Sequence, residues 1–296
     1  MGVAMLHHRP LATGGLPEYT YTGVAQLIDD GGGNWRIKFL SSGTLTLGKK
    51  TKADAFLVGG GGGGCSRMTQ DSTVICGGAG GGGGYTATHK AVTLAKGTAY
   101  VITIGAGGAG GTYSGLGKQG GTTKIVGGDV SLTVNGGGVG GLNGSSGCYG
   151  GAGGSGGGGN AASGYSSLYA LRGPLGGQDG GNSRKQDGSE ATQGSSWGNP
   201  FGKGQGTTTR EFGESTGQLY AGGGGCGTSL VNTDEYNYGG AGGGAAGGRY
   251  TDSGNNASAN TGGGGGGCGD GYTSGSTSGG NGGSGILILR NARKEA

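Results

Sequence analysis

The chain has 296 residues, of which 90 are glycine and only 4 proline, with 12% charged and 30% hydrophobic residues and a net charge of +4. Glycine at this density without a Gly-X-Y period or abundant proline excludes collagen. The small apolar fraction excludes a side-chain core of enzyme size, because glycine buries no side chain and loses the most backbone entropy on folding.

Taken in chain order, segment 1–18 reads as a tail or attachment segment. Met1 to Pro17 carries two histidines and an arginine but no apolar stretch, so no Sec signal is expected. Strand texture follows. Tyr19 to Ile28 is rich in Thr, Tyr and aliphatic residues, and Gly31 to Asn34 is a turn. Trp35 to Leu40 alternates, with Trp35, Ile37 and Phe39 on one face and Arg36 and Lys38 on the other. Thr44 to Leu47 and Ala53 to Val58 come next, separated by Lys49, Lys50 and Lys52, the densest basic cluster, which reads as a solvated turn rather than a nucleic-acid patch. Tyr85 to Leu94, Ala99 to Ile104, Thr122 to Val126, Val130 to Val134 and, far downstream, Ile286 to Leu289 complete the strands. Hairpin turns are expected at Lys96-Gly97 and Gly127 to Asp129. Ser166 to Arg172 is the one passable helical stretch, and no stretch approaches the ~20 apolar residues of a membrane helix.

Between these strands lie glycine runs: Gly59 to Gly64, Gly77 to Gly84, Gly105 to Gly111, Gly136 to Gly141, Gly150 to Gly159, Gly222 to Gly225, Gly239 to Gly248, Gly262 to Gly267 and Gly279 to Gly285. As flexible linkers they would leave Ile286 to Leu289 to find a sheet across a very long loop. The ordered alternative is a bundle of threefold extended helices, whose unpaired N–H and C=O groups are met by neighbouring backbones that no Cβ holds apart. The expected fold is all-β: an antiparallel β-sandwich, jelly-roll-like, built from 19–58, 85–104, 122–134 and 286–290. An inserted bundle of polyglycine-II helices with its loops would occupy 59–84, 105–121 and 135–285.

The string Asn34-Trp35-Arg36-Ile37-Lys38-Phe39-Leu40-Ser41-Ser42-Gly43-Thr44-Leu45, the string Ala53 to Gly61 and the ending Gly282 to Arg290 resemble glycine-rich domain proteins of bacteriophages and of prophages of gut bacteria. The resemblance runs from about Tyr19 to Arg290. In plan the chain is similar to two kinds of protein. The tail-fibre-tip adhesins of T-even-like phages stack polyglycine-II helices and bind host receptors through loops at one end. The glycine-rich domain of anaplastic lymphoma kinase combines a β-sandwich with inserted polyglycine helices. The resemblance implies a virion protein of the tail fibre or tail tip, extracellular when acting. Its partners would be a host-surface glycan or protein and a phage tail protein, with no nucleic acid and no membrane insertion.

If the glycine runs leave one sandwich and return, counting outward and inward passages from both ends of the chain places a set of loops at the far end. Those loops carry Arg67, Met68, Gln70, Asp71, Tyr113, Lys118, Tyr149, Asp234, Glu235, Tyr236, Tyr238 and Tyr272. Amphipathic aromatics among scattered polar groups suit a recognition surface, and they also suit capping of a glycine bundle. The same count puts Arg249 to Thr261 near the sandwich, along with both ends of Asn160 to Ala221. Trp197, Phe201, Phe212 and Tyr220 in that long stretch are candidates for docking on a fibre. All five cysteines fall at the far ends. Cys65 and Cys76 bracket one loop and are a candidate disulfide, the alternative being small apolar fillers.

Catalytic signatures are missing. Gly43 to Lys49 matches the start of a phosphate-binding loop, but Lys50 stands where the magnesium-binding Ser/Thr belongs and the span reads as strand. His7 and His8 lie in the tail and His89 in a strand, and the cysteine spacing fits no metal site. Asp29-Asp30 and Asp234-Glu235 read as solvated turn residues. No enzyme activity, cofactor or metal is expected. A filament-forming bacterial surface protein and an ice-binding protein are the rival readings, the second requiring a regular exposed face of small residues that the loops do not suggest.

Overall fold

A computed structural model describes residues 15–66, 68–71, 74–112, 115–142, 147–155, 157, 160–163, 209–227, 238–269 and 277–291. Its strands are β1 (Tyr19–Tyr21), β2 (Ala25–Gly31), β3 (Asn34–Phe39), β4 (Gly43–Leu47), β5 (Thr51–Val58), β6 (Met68–Asp71), β7 (Val74–Cys76), β8 (Thr86–Leu94), β9 (Ala99–Thr103), β10 (Thr123–Gly127), β11 (Val130–Val134), β12 (Gly141–Leu142), β13 (Gly147–Tyr149), β14 (Asn160–Ser163) and β15 (Ile286–Asn291). Helix is almost absent among the described residues, and Glu211–Gly213 is a single 3-10 turn. The helical stretch expected at 166–172 lies outside them.

Two antiparallel five-stranded sheets, ordered β1-β4-β9-β10-β11 and β2-β3-β15-β5-β8, enclose one hydrophobic core in a sandwich-like arrangement. One sheet contributes Tyr21, Leu45, Leu47, Tyr100, Ile102 and Ile125, the other Trp35, Ile37, Phe39, Leu57, Leu287 and Leu289. The alternation read in β3 is realised: Trp35, Ile37 and Phe39 are buried and Arg36 and Lys38 half-buried between them. β5 and β15 are instead apolar on consecutive residues because both their faces are covered. Phe56, Val58, Ile286 and Ile288 point away from the main core and are capped by Phe212, Tyr220 and Ala221.

Tyr19 to Ile28, expected as one strand, is two strands in different sheets. The chain crosses between the sheets at residues 22–24, and a Cβ on Gly23 would stand 2.6 Å from the Ser42 carbonyl oxygen, so only glycine makes the crossing. Propensity cannot reveal such a bend inside a continuous β-favouring stretch. At the far end of the β2–β3 hairpin, Gly31, Gly32 and Gly33 all adopt left-handed φ values of +78°, +60° and +79°, as the glycine turn requires.

The glycine segments are ordered and hydrogen-bonded to one another. Residues 59–65 run outward from the end of β5. The amides of Gly60 and Gly63 donate to Gly121 and Lys118; those of Gly61 and Gly64 donate to Gly283 and Gly280; those of Gly62 and Cys65 donate to Gly82 and Ala79. Every third residue thus returns to the same neighbour. The carbonyls of Gly60, Gly61 and Gly62 accept from Gly137, Gly108 and Gly265, three further segments. One buried segment therefore has six neighbours, donating to three that run inward and accepting from three that run outward. A Cβ on Gly60, Gly61, Gly62, Gly63 or Gly64 would fall on the carbonyl group of a neighbouring segment. On the outer segment 105–111 the alanines recur at that same spacing, Ala106 and Ala109, where both are exposed.

The register of these bonds corrects three sequence expectations. Gly150 to Gly159 is not one inward passage. Gly151 and Gly154 donate to Gly80 and Gly83 on the way in, and Gly157 then donates back to Gly151, so the chain reverses near Ser155 and reaches β14 at the far end. Asn160 is therefore distal, while Ala221, whose amide donates to Thr261, is proximal. Arg249 to Thr261 likewise spans the whole length: Gly269 donates to Asp252 at the far end, and Asn260 reaches the Leu40 carbonyl near the sandwich. Its partner run 239–248 turns at Gly242 and Gly243, both at left-handed φ. Counting passages fails where one run hides a reversal, and at Gly242-Gly243 glycine itself supplies the turn.

Candidate functional site

Among the described residues two places carry the non-glycine chemistry: the distal end of the glycine segments and a charged cleft on the sandwich. At the distal end, connectors widely separated in sequence form a third antiparallel sheet, β12-β13-β14-β7-β6. Its pairings join Met68 to Cys76, Ala162 to Cys76, Cys148 to Asn160 and Gly141 to Tyr149. Of the predicted recognition residues, this sheet gathers the backbones of Met68, Gln70, Asp71 and Tyr149. Lys118 is exposed on the inward segment beside Gly63, part of the way along the length, and Tyr238 is half-buried at the start of the described stretch 238–269. Arg67, Tyr113, Asp234, Glu235, Tyr236 and Tyr272 lie outside the described residues. The sheet was not expected, because its strands are two to four residues long and lack alternation.

Beneath this sheet Cys65, Cys226 and Cys268 are buried thiols, none of the three in a disulfide. Cys65 and Cys268 are level with each other, the Cys268 amide donating to the Cys65 carbonyl. The candidate Cys65–Cys76 bridge is not formed: the Cys65 thiol donates to the Gly140 carbonyl oxygen at 2.7 Å, facing a neighbouring glycine segment. Burial pushes this thiol up to about 11, since a thiolate there would lose its hydration.

The second place is created by residues 209–221, which fold over the outer face of the sheet containing β15. Phe212 and Tyr220, expected to dock on a fibre, are 5% and 1% exposed and pack on Phe56 with ring centroids 5.9 and 5.5 Å away. They complete the protein's own second core and offer no free docking surface. Trp197 and Phe201 lie outside the described residues. Phe212 takes a left-handed φ of +57°, which aims its ring under Arg290, whose guanidinium lies 4.0 Å from the ring centroid.

Around this contact the charges interlock. Arg36 donates to both oxygens of Asp30 and, through Nη1, to Glu211 at 2.6 Å. Arg290 donates through Nε to Asp54 at 3.1 Å and through Nη1 to Glu214 at 2.5 Å. The Tyr220 hydroxyl donates to Glu211 at 3.2 Å, and Lys38 Nζ lies 3.7 Å from the same carboxylate. The hydrogen bond to Asp30, with Glu211 adding to it, makes the Arg36 guanidinium hold its proton more firmly than usual. Burial, reinforced by Glu211, raises the Tyr220 hydroxyl well above the usual phenol range. A cleft of about 290 Å³ opens between these groups. Sequence reading took Asp29-Asp30 for a solvated turn pair, but Asp30 is the partner of Arg36 across the hairpin.

No group of three or more His, Cys, Asp or Glu side chains among the described residues is placed to hold a metal ion. None of the described helices is long and apolar enough to cross a membrane.

Fold and site together define an all-β protein in which hydrogen-bonded glycine segments extend from paired antiparallel sheets. The family profile of the glycine-rich domain matches residues 40–292, and the chain belongs to that family. A search of curated proteins finds no match.

Proposed function

We propose that this chain is a non-enzymatic receptor-binding protein of the kind carried on phage tail fibres. In this reading the glycine segments are polyglycine-II helices, each three residues per turn and rising about 3.1 Å per residue. The reading is supported by the return of every third amide of residues 60–65 to the same neighbour and by the six segments around them. A passage of six or seven residues then holds its loops roughly 20 Å from the sandwich.

One observation carries the functional reading. Connectors from β5–β8, from β11 onward and from β14 converge on a sheet at one end, the end away from the sandwich. A protein needing only a stable sandwich gains nothing from so long a rigid scaffold, whereas a recognition surface gains loops that vary without disturbing the core. The receptor would be a host-surface glycan or protein, with the sandwich end facing the fibre.

The test is binding of the purified full chain to host cells, with residues 66–76 and 228–238 each exchanged for loops of different sequence. Altered host range with unchanged unfolding temperature is the expected result. Unchanged host range after both exchanges overturns the reading.

A further inference from the structure

The charged cleft on the sandwich lies at the other end of the molecule from the proposed receptor-binding loops and needs its own explanation. Its wall is made by Asp30, Arg36, Glu211, Glu214, Gln218 and Arg290. Arg290 and Glu211 at its base are 5% and 4% exposed. The volume of about 290 Å³ suits one small ring, at the lower end of ligand pockets.

The charges decide what could enter. Three carboxylates, Asp30, Glu211 and Glu214, face two guanidiniums, and Lys38 sits against Glu211. The signs nearly cancel and each carboxylate is already ion-paired. An anion would meet three carboxylates, and a cation would compete with three bases. An apolar guest finds no free aromatic face, because the Phe212 ring is covered by Arg290. Hydrogen-bonding capacity is what remains. A guanidinium carries five N–H donors; the bonds to Asp30 and Glu211 use three of those on Arg36, and the bonds to Asp54 and Glu214 use two on Arg290. A carboxylate offers about four lone-pair positions, and Glu211 and Glu214 accept two and one of the side-chain hydrogen bonds here. Donors and acceptors fixed side by side in planar groups match the vicinal hydroxyls of a sugar, each of which donates once and accepts as well.

We propose that the cleft between residues 211–218 and the β2–β3 hairpin binds a neutral hexose ring, free or at the end of a glycan. Thr216 and Gln218 are exposed on that wall; Thr216 belongs to none of the ion pairs, and the Gln218 side chain accepts from Lys38 Nζ at 3.4 Å.

The test is a titration of the full ¹⁵N-labelled chain followed by amide and Arg Nε–H resonances. The probes are methyl α-D-glucopyranoside, methyl α-D-mannopyranoside, methyl β-D-galactopyranoside and N-acetylglucosamine. Glucuronate and glucosamine form the charged arms; maltose and lactose distinguish a glycan end from a free ring. Saturable shifts at Gly217, Gln218 and Arg290 with at least one neutral probe are expected. Gln218→Ala should weaken that binding by about fivefold, as loss of one hydrogen bond does, and Thr216→Trp should abolish it with an unchanged unfolding temperature. No shift with any neutral probe, shifts with the charged probes alone, or undiminished binding in Thr216→Trp overturns the proposal. Loss of host binding on exchanging the distal loops bears on the other end of the molecule and leaves these outcomes unaffected.

Discussion

Gly61→Ala tests how tightly the glycine segments are packed. The new Cβ would fall on the carbonyl group of Gly263 and within 2.8 Å of the Gly262 oxygen, against 3.0 Å as the closest distance that real Cβ atoms tolerate. Both groups are backbone, so segment 263–269 must retreat by about 1 Å to relieve the clash. That segment is tied to 59–65 by the Gly265–Gly62 and Cys268–Cys65 bonds, 2.9 and 3.1 Å long, and a retreat of about 1 Å takes both beyond hydrogen-bonding range. Each buried group left unpaired costs about 1–3 kcal/mol. Alanine restricts the unfolded chain and returns about 0.4–1 kcal/mol. With two amides left unpaired, the net destabilisation is about 1–5 kcal/mol, a large part of a typical total stability of about 5–15 kcal/mol. Urea unfolding followed through buried Trp35 measures it. Ala109→Ser, on an outer segment with its side chain exposed, serves as the control and should change stability by less than about 0.5 kcal/mol. A Gly61→Ala midpoint matching the parent would refute the packing argument.

Two further predictions concern the buried polar groups. Asp54→Ala leaves Arg290 buried without its Nε partner, beside an exposed Glu214, and should cost about 3–5 kcal/mol by urea unfolding; an unchanged midpoint would show that Glu214 alone compensates the guanidinium. The Cys65 thiol, raised to about 11 from an ordinary 9.0, is neutral in the folded state where the unfolded chain already ionises. Its stabilising contribution is therefore full below about pH 9 and lost as the pH rises through about 11. The lost contribution approaches about 3 kcal/mol. Cys65→Ala should flatten that part of the stability profile, and the parent thiol should resist iodoacetamide at pH 8 until the chain is unfolded; fast labelling of the native protein would contradict its burial.

Strands with clear alternation or aliphatic runs were legible from the sequence because their side chains state their own burial: β3, β4, β9, β10, β11 and β15 lie within a residue or two of the expected places. The crossing at Gly23 was not legible, since what forbids a side chain there is Ser42, a residue brought close only by the fold. The direction of the glycine segments was legible only where each run was a single passage. The reversal at Gly242-Gly243 is made of the same residue as the straight parts, and the one near Ser155 is marked only by a serine of the kind that also interrupts straight runs. The charged cleft escaped because its pairs join residues such as Arg36 to Glu211 and Arg290 to Asp54, far apart in sequence. Phe212 and Tyr220 were singled out as aromatics in a long stretch, but burial against Phe56 gives them a packing role.

Amide hydrogen exchange at Gly60 to Cys65 and Gly263 to Cys268 tests most directly whether the glycine runs are scaffold rather than linker. Every one of these amides from Gly60 to Cys65 donates to a neighbouring segment, so protection approaching that of β5 and β15 is predicted. Exchange at the rate of an unstructured glycine peptide would contradict it.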